Sequence, residues 1–288
     1  MKAIRRKTAF LSAFLLLLAG TYWFYFVRRE PFPAIVKSAP NAKGIVEGEF
    51  SFRCNLPCNR RTLVRYKIPF DRQTGQPLPS ASRMVFYAPY NGDAPRLRKG
   101  LPAWLDFFPE KAGYSVFSLV IETRPGMALD TKRYYVYEEA GWYELFFAIQ
   151  KHLEEAFGLR NASLYIVGES SGGSLAERLV AKWPERIAAA AWNGGTSYAR
   201  LPKSACTVPM LALHTDGCYA IPATMALKQQ CEEDGIPLFV GTIPRQDEKA
   251  DFHAAQPLAY QMMQLFVVDR EKFLELWDAH PEVHGLHD

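Results

Sequence analysis

The sequence lacks a strong charge imbalance. Its 34 Lys and Arg residues stand against 30 Asp and Glu residues, a formal net charge of only +4 over 288 residues. The basic residues are interspersed with acidic ones and form no stripe, which argues against binding to nucleic acid. Disorder is also excluded, because 49% hydrophobic and 14% aromatic residues supply enough apolar surface for a large core.

The N-terminus lacks a small-residue cleavage site after its apolar run, residues 8–27. This run of 20 residues has the length of a membrane span and exceeds the about 7–15 residues of a signal peptide core. It follows a basic flank and ends in an aromatic cluster suited to a membrane interface. Residues 1–29 are therefore predicted to be an uncleaved membrane anchor that leaves the domain exported, with a cleaved signal segment as the alternative. Residues 30–44 form a Pro-rich linker, and residues 45–288 the domain.

Cysteine is scarce, with five residues in the chain, and it shows no metal-site spacing. No metal or organic cofactor is expected. An exported domain permits disulfides. Cys54 and Cys58 lie close together around a Pro-containing turn, and Cys206 and Cys218 flank one predicted strand, so both pairs are candidates. Cys231 would remain as a small buried residue, although sequence does not fix the connectivity.

Internal repeats are missing too, and one domain is predicted. Two short β-type runs at residues 45–53 and 62–68 predict an antiparallel hairpin. Continuous apolar runs, typical of strands covered on both faces, then alternate with helical patterns. These strands are expected at residues 84–90, 115–121, 163–168, 187–192, 209–215 and 237–243. The predicted fold class is α/β: a mostly parallel sheet with helices on both faces and the hairpin at one end.

The stretch YIVGESSGG, residues 165–173, follows one of these strands and precedes a helix. Ser170 is the centre of its Gly-x-Ser-x-Gly pattern. A sharp strand-to-helix turn holds the central side chain out of the fold, and glycines two positions away let strand and helix approach closely. The Ser170 hydroxyl would then be a nucleophile, with the Ser171 N–H at the helix N-terminus as an oxyanion donor. The alternative is a Gly/Ser turn without chemistry.

These features resemble the α/β-hydrolase fold over nearly everything after residue 45. The segment ESSGGSLAERLVAKWPERIAAAAWNGG and the following TSYARLPKSACTVPMLALHTDGCYAIP are most similar to secreted esterases of the feruloyl-esterase and polyhydroxyalkanoate-depolymerase type. The resemblance implies a Ser-His-Asp triad with Ser170 as nucleophile. It places the catalytic histidine at His253, between the last strand and the last helix, and makes His214 structural.

The resemblance also implies an acid after the strand PMLALHT. Similar enzymes have an HGxxDxxVP-like turn there, whereas this chain has HTDGCYAIP. Cys218 stands where the family's Asp falls, and Asp216 lies two residues earlier. Asp216 is the expected acid, with Asp247 and Asp251 as alternatives.

The second oxyanion donor is expected in the loop after the strand MVFYAPY. The backbone N–H of Asn91 is the first choice and that of Tyr90 the second, although YNG departs from the family's usual HG pair. Substrate contacts are expected from Tyr90 and from Arg124 and Tyr134 in the loop 122–137. A packed and solvated loop is the alternative for the last two.

No room for a large lid exists between Trp192 and Pro209, which favours an open cleft for a short acyl ester or the end of a polymer. The predicted function is a membrane-anchored, exported serine hydrolase of carboxylic esters. Two alternatives stay open, namely a peptidase or amidase with the same triad, and a non-catalytic envelope binding protein on a hydrolase scaffold.

Overall fold

The computed structural model describes residues 32–54, 56, 61–90, 92–121, 130–195, 200–244 and 257–284. Within them, one sheet has the strand order β1-β2-β4-β3-β5-β6-β7-β8. Its strands are β1 (Ile45–Arg53), β2 (Arg61–Pro69), β3 (Arg83–Ala88), β4 (Ser115–Leu119), β5 (Ser163–Glu169), β6 (Ile187–Asn193), β7 (Met210–Thr215) and β8 (Leu238–Ile243). All eight predicted strands are confirmed, with shifts of one or two residues at some ends.

The first two strands form the predicted hairpin at one edge of the sheet. β1 pairs antiparallel with β2, from Ile45 opposite Pro69 to Arg53 opposite Arg61. β2 is antiparallel to β4, and every pair from β4 through β8 is parallel. The prediction of a mostly parallel sheet closed by an antiparallel hairpin is therefore confirmed.

Helices cover both faces of this sheet in the described ranges. They are α1 (Ala94–Lys99), α2 (Tyr143–Phe157), α3 (Ser171–Lys182), α4 (Ile221–Asp234), α5 (Pro257–Val268), α6 (Arg270–Asp278) and α7 (Pro281–His284). One face packs against α2, α3 and α4, and the other against α5 and α6, so the apolar strands are buried on both sides. Central strands buried in this way need no polar alternation, which is why their sequence reads as continuous apolar runs.

The strand order reverses at β3. The chain leaves β3 for β4 on one side and later returns as β5 on the other, where Ala88 pairs with Gly168. In open parallel sheets, the crevice beyond the carboxyl ends of such neighbouring strands is the usual ligand site. The loops after β3 and β5, and with them the Ser170 turn, lie at this place.

The predicted disulfide between Cys206 and Cys218 is wrong, because both thiols are free. Cys206 lies in a 3₁₀ turn before β7, and Cys218 follows the other end of that strand. Six strand residues separate two groups by roughly 20 Å, whereas a disulfide requires Cα atoms within about 7 Å. The other predicted pair includes Cys58, which lies outside the described residues. The sulfur of Cys54 lies 2.7 Å from Thr62 Oγ1.

No helix of the described ranges is both long and apolar enough to cross a bilayer. The segment predicted as an anchor, residues 1–29, lies outside those ranges. Helix α1 begins within the stretch NGDAP, residues 91–95, whose sequence predicts only a turn. Its six residues, with Pro95 in the first turn, are too few to show an apolar period.

Candidate active site

Ser170 occupies the bend between β5 and α3, and its backbone is strained. Its φ of 51° and ψ of −119° lie in a region that costs an ordinary residue on the order of 1–3 kcal/mol. β5 ends at Glu169 and α3 begins at Ser171, so the strand-turn-helix context predicted from the sequence is confirmed. A turn of this kind directs the central side chain away from the sheet, and Ser170 is half-buried rather than enclosed.

Glycines around the turn are required by close backbone contacts. A Cβ atom on Gly168 would lie 2.6 Å from the carbonyl of Gly172, and one on Gly173 would lie 2.5 Å from the Gly194 oxygen. A Cβ atom on Gly172 would overlap the carbonyl oxygen of Ala88 at the end of β3. The first turn of α3 therefore presses directly on β3 and β5. This is the close approach that the Gly-x-Ser-x-Gly pattern predicted.

Backbone hydrogen bonds fix the turn to the neighbouring strand ends. The Ser170 N–H donates to Asn193 O of β6 at 2.8 Å, and the Ser170 carbonyl accepts from Gly173 N at 2.8 Å. Gly194 N in turn donates to Leu213 O of β7 at 2.7 Å. The strained conformation is thus held by the ends of two further strands, which is what a costly backbone geometry requires to persist.

Tyr135 joins the turn to the end of β3. Its hydroxyl lies 2.6 Å from the carbonyl oxygen of Pro89 and 2.8 Å from Ser171 Oγ. The side chain is fully buried, and this burial raises the pKa of the phenol well above its usual value. Tyr135 was not among the residues predicted for the site. The sequence signal was only its place in an aromatic loop that follows a central strand.

Glu169, the residue before the strained serine, is a buried carboxylate in a polar cluster. Tyr260 Oη donates to Glu169 Oε1 at 2.6 Å, Arg96 Nη2 lies 3.0 Å from Oε2, and the Tyr87 hydroxyl also contacts Oε2. Asp93 binds the same guanidinium and the same Tyr87 hydroxyl, each at 2.8 Å. Burial raises the pKa of the Asp93 carboxyl, opposed by these two hydrogen bonds. The cluster joins β3, α1, β5 and α5 at the residue that precedes Ser170.

Asp216, the predicted acid, follows the carboxyl end of β7 and is exposed. Its N–H donates to Ile243 O of β8 at 2.9 Å, which fixes its backbone beside the end of the last strand. Its carboxylate makes no hydrogen bond or ion pair with any residue that the structure describes. His253, Asp247 and Asp251 lie outside the described residues, so the triad stays a prediction.

His214 is a buried histidine, as the structural role predicted for it requires. It is fully inaccessible, and its Nε2 lies 2.9 Å from Thr224 Oγ1. Burial lowers the pKa of its imidazole from 6.5 to about 4. The ring is therefore neutral at pH 7 and belongs to the interior between β7 and α4.

Two further polar residues at the carboxyl ends of the strands were not predicted from the sequence. Asn193 and Thr215, at the carboxyl ends of β6 and β7, are buried, and both amide atoms of Asn193 and the hydroxyl of Thr215 find no hydrogen-bond partner in the described part of the chain. Buried polar atoms are normally paired. Their position beside the Ser170 turn marks this edge as polar and chemically unlike the rest of the core.

The residues predicted to contact substrate differ in accessibility. Tyr90 is 39% exposed at the end of β3, whereas Tyr134 is 8% exposed and packs edge-on against the Tyr135 ring. Asn91 and Arg124 lie outside the described residues. No cluster of three or more His, Cys, Asp or Glu residues that could hold a metal ion occurs in the ranges searched.

Comparison with known proteins gives structural neighbours only. No protein-family model and no curated protein matches the sequence. An S-formylglutathione hydrolase from Staphylococcus aureus superposes with a TM-score of 0.56 at 9% identity, over 83% of this chain and 99% of that one. A ferulic acid esterase gives 0.55 at 10% identity, over 78% and 97%. The S-formylglutathione hydrolase from Agrobacterium tumefaciens gives 0.53 at 15% identity, over 87% and 99%.

Sequence identities this low establish a shared fold but not a shared reaction. The agreement extends over almost the full length of these neighbours. The chain therefore has the α/β-hydrolase fold of esterases and serine hydrolases.

Proposed function

We propose that this protein is a serine hydrolase that cleaves carboxylic esters. The observation that carries the proposal is the strained backbone of Ser170 between β5 and the N-terminus of α3. Strained backbone conformations occur mainly at functional sites, and three close-packed glycines hold Ser170 in this one. The strain therefore supports a chemical role for the Ser170 hydroxyl. Its place at the reversal of the strand order adds a second, independent reason to expect a ligand there.

The proposed reaction passes through an acyl-enzyme. Ser170 Oγ attacks the ester carbonyl while its proton passes to His253, and the alcohol leaves with that proton. Water then attacks the acyl group, again losing a proton to His253, and the acid is released as Ser170 recovers its proton. Asp216 orients the imidazole. The N–H of Ser171 and a second backbone N–H from the loop after β3, that of Asn91 or that of Tyr90, stabilise the oxyanion in both steps. No cofactor is needed.

The ester is preferred to an amide because the structural neighbours include S-formylglutathione hydrolases and a ferulic acid esterase. The proposed substrate is a small ester or the ester at the end of a polymer, since no lid-sized insertion separates β6 from β7. Tyr90 is exposed at the rim and is proposed to contact it, together with Arg124 and Tyr134. A peptidase shares all of these residues and is separated only by experiment.

The first test is covalent labelling of the full chain with a fluorophosphonate, together with hydrolysis of p-nitrophenyl esters and peptide anilides. Wild type should be labelled and should prefer the esters. Ser170→Ala should lose labelling and reduce kcat by about 10⁶-fold. Ser163→Ala, at the opposite and exposed end of β5, is the matched control and should behave as wild type.

The same assay tests the other two triad members. His253→Ala and Asp216→Asn should each lower kcat by about 10⁴-fold without unfolding the protein. Asp247 or Asp251 would replace Asp216 in the triad if only Asp216→Asn kept full activity. A folded wild type that neither reacts with the probe nor hydrolyses any ester would overturn the proposal and favour the binding-protein alternative.

The exported location behind an N-terminal anchor stays a prediction from residues 1–29. Its support is the length of the apolar run and its basic and aromatic flanks. Protease added to cells with an intact plasma membrane and a permeabilised outer envelope should digest the domain if it lies on the periplasmic or extracellular side. Digestion only after the plasma membrane is lysed would contradict the prediction.

A further inference from the structure

Tyr135 is a buried tyrosine whose hydroxyl lies between the two segments expected to form an oxyanion hole. It is fully inaccessible, and its hydroxyl contacts Pro89 O at 2.6 Å and Ser171 Oγ at 2.8 Å. Pro89 precedes the loop after β3, and Ser171 is the first residue of α3. These segments are far apart in the chain, and this hydroxyl is a polar link between them.

The direction of the two hydrogen bonds follows from the donors available. A phenol has one proton, and the Pro89 carbonyl can only accept, so the phenol donates to Pro89 O. The Ser171 hydroxyl must then donate to Tyr135 Oη. The result is a chain of two hydrogen bonds, from Ser171 through the buried Tyr135 to Pro89, in which each bond polarises and strengthens the other.

The bond to Pro89 also orients the next amide. Pro89 C=O and Tyr90 N–H belong to one planar peptide group and point in opposite directions. Holding the carbonyl toward Tyr135 therefore fixes the direction of the Tyr90 N–H. Within the described residues this N–H donates to no acceptor. An amide at this place in the loop is a candidate for the second oxyanion donor.

The hydrogen bond from the Ser171 hydroxyl to Tyr135 holds the residue that supplies the first oxyanion donor, the Ser171 N–H. The Ser171 N–H lies at the start of α3, immediately after the strained nucleophile. Its side chain is held by Tyr135, so the first residue of the helix cannot rotate freely about the bend. Carbonyl groups of Ala88 and Pro89 already press on Gly172 from the β3 side, so the two segments meet in van der Waals contact as well.

We propose that Tyr135 is a positioning residue that fixes both halves of the oxyanion hole, the Ser171 amide and the Pro89–Tyr90 peptide, relative to Ser170. This inference rests on the proposed ester hydrolysis and deepens it. Donors aimed at the developing oxyanion stabilise the transition state more than the bound ester. Loss of the positioning should therefore lower kcat and leave KM almost unchanged.

The test is Tyr135→Phe, which removes one oxygen and keeps the ring. We expect kcat for a p-nitrophenyl ester to fall by about 10- to 100-fold, with KM changed by less than about threefold. The affinity for a trifluoromethyl ketone, whose adduct with Ser170 places an oxyanion in the same site, should fall by a similar factor. The matched control is Tyr114→Phe, because that tyrosine is also buried and hydrogen-bonded, to Arg83 at 2.7 Å, but lies before β4 at the opposite end of the sheet. It should keep wild-type kcat.

Variants of Ser171 test the other end of the chain of hydrogen bonds. Ser171→Ala should lower kcat in the same direction as Tyr135→Phe, and the double variant should be no slower than the slower single one. Ser171→Thr keeps a hydroxyl and should recover much of the loss. These variants keep the backbone N–H of residue 171. A change in kcat would therefore come from a displaced N–H and not from a missing one.

The outcomes separate this inference from the proposed function. Wild type that hydrolyses esters, with Ser170→Ala inactive but Tyr135→Phe equal to Tyr114→Phe in kcat and in ketone affinity, would overturn the positioning role and leave the hydrolase intact. A loss of melting temperature in Tyr135→Phe without any loss of kcat would show a structural hydroxyl only, and also overturn it. A folded wild type that is inactive toward esters and unreactive with fluorophosphonate would overturn both the proposed hydrolase function and the positioning role of Tyr135.

Discussion

Glu169 is the residue next to the strained serine, and it is only 3% exposed. A buried carboxylate is costly unless each oxygen is paired. Tyr260 donates a hydrogen bond to Glu169 Oε1, and Arg96 and Tyr87 contact Glu169 Oε2. Because these partners come from α5, α1 and β3, the residue before the nucleophile anchors three elements around the turn. Helix α5 follows the segment that contains His253 in the chain, so the bond from Tyr260 to Glu169 holds the end of that segment near the serine turn.

We expect Tyr260→Phe to weaken this anchor without disturbing packing. The ring would keep its stacking on Trp104, at 4.6 Å between centroids, but Glu169 Oε1 would lose its donor. The expected loss in free energy of unfolding is about 1–3 kcal/mol, read from the urea midpoint at constant slope. Tyr165→Phe on β5, the strand that also carries Glu169, is the control, because the Tyr165 hydroxyl makes no hydrogen bond in the described structure. A Tyr260 variant as stable as this control would contradict the argument.

Single residues show where sequence reasoning stops. Ser170 was identifiable because its neighbours within three positions impose the turn. Tyr135 and Tyr260 were not, since their partners lie 46 and 91 residues away and no local pattern reports such a contact. The candidate disulfide between Cys206 and Cys218 is wrong for a different reason: the two residues flank β7, and the length of that strand separates them.

At the scale of elements, the strands were predictable and the short helices were not. A strand covered on both faces leaves an apolar run that is visible in sequence, and all six such runs became strands, as did the two β-type runs of the hairpin. Residues 101–113, whose sequence LPAWLDFFPEKAG predicts a short helix with breaks, form instead two single turns, Ala103–Asp106 and Phe108–Ala112. Segments this short are set by contacts with the sheet and not by their own periodicity.

The contact between β3 and α3 leads to a prediction at this scale. We expect Gly172→Ala to destabilise the protein by at least about 2 kcal/mol, because its Cβ atom would collide with the backbone carbonyl of Ala88, which cannot rotate away as a side chain could. Fluorophosphonate labelling should fall with it as the turn is displaced. Urea unfolding and labelling rates measure the two effects.

Gly100→Ala is the control for that change. Gly100 has an extended φ of 165°, and no atom lies within 4 Å of the position of its Cβ, so alanine fits without strain. Its free energy of unfolding should stay within about 0.5 kcal/mol of wild type. Equal stability of the two variants would mean that the helix and strand are not in the close contact on which the turn depends.

For the whole molecule, the arrangement of strands decides which residues meet at the site. The carboxyl ends of β3, β5, β6 and β7 bring together Tyr87, Glu169, Asn193 and Thr215, residues with no sequence relation to one another. The mostly parallel sheet with its hairpin at one end was predictable from the order of strands and helices, and the location of Ser170 was predictable from its Gly-x-Ser-x-Gly turn. The side chains that gather there were not, because an apolar run reports the burial of its strand and not the contacts made by the polar residues at its end.

Acid stability is a property of the whole molecule, and the buried His214 is expected to contribute to it. The buried His214 has a pKa of about 4 when folded and about 6.5 when unfolded, so the unfolded chain binds one more proton between these pH values. Stability is full above pH 6.5 and should fall by about 3 kcal/mol as the pH drops to 4. Urea unfolding of His214→Gln, which cannot take up that proton, should show a shallower pH dependence over this window. Equal slopes for the two proteins would place the acid sensitivity elsewhere.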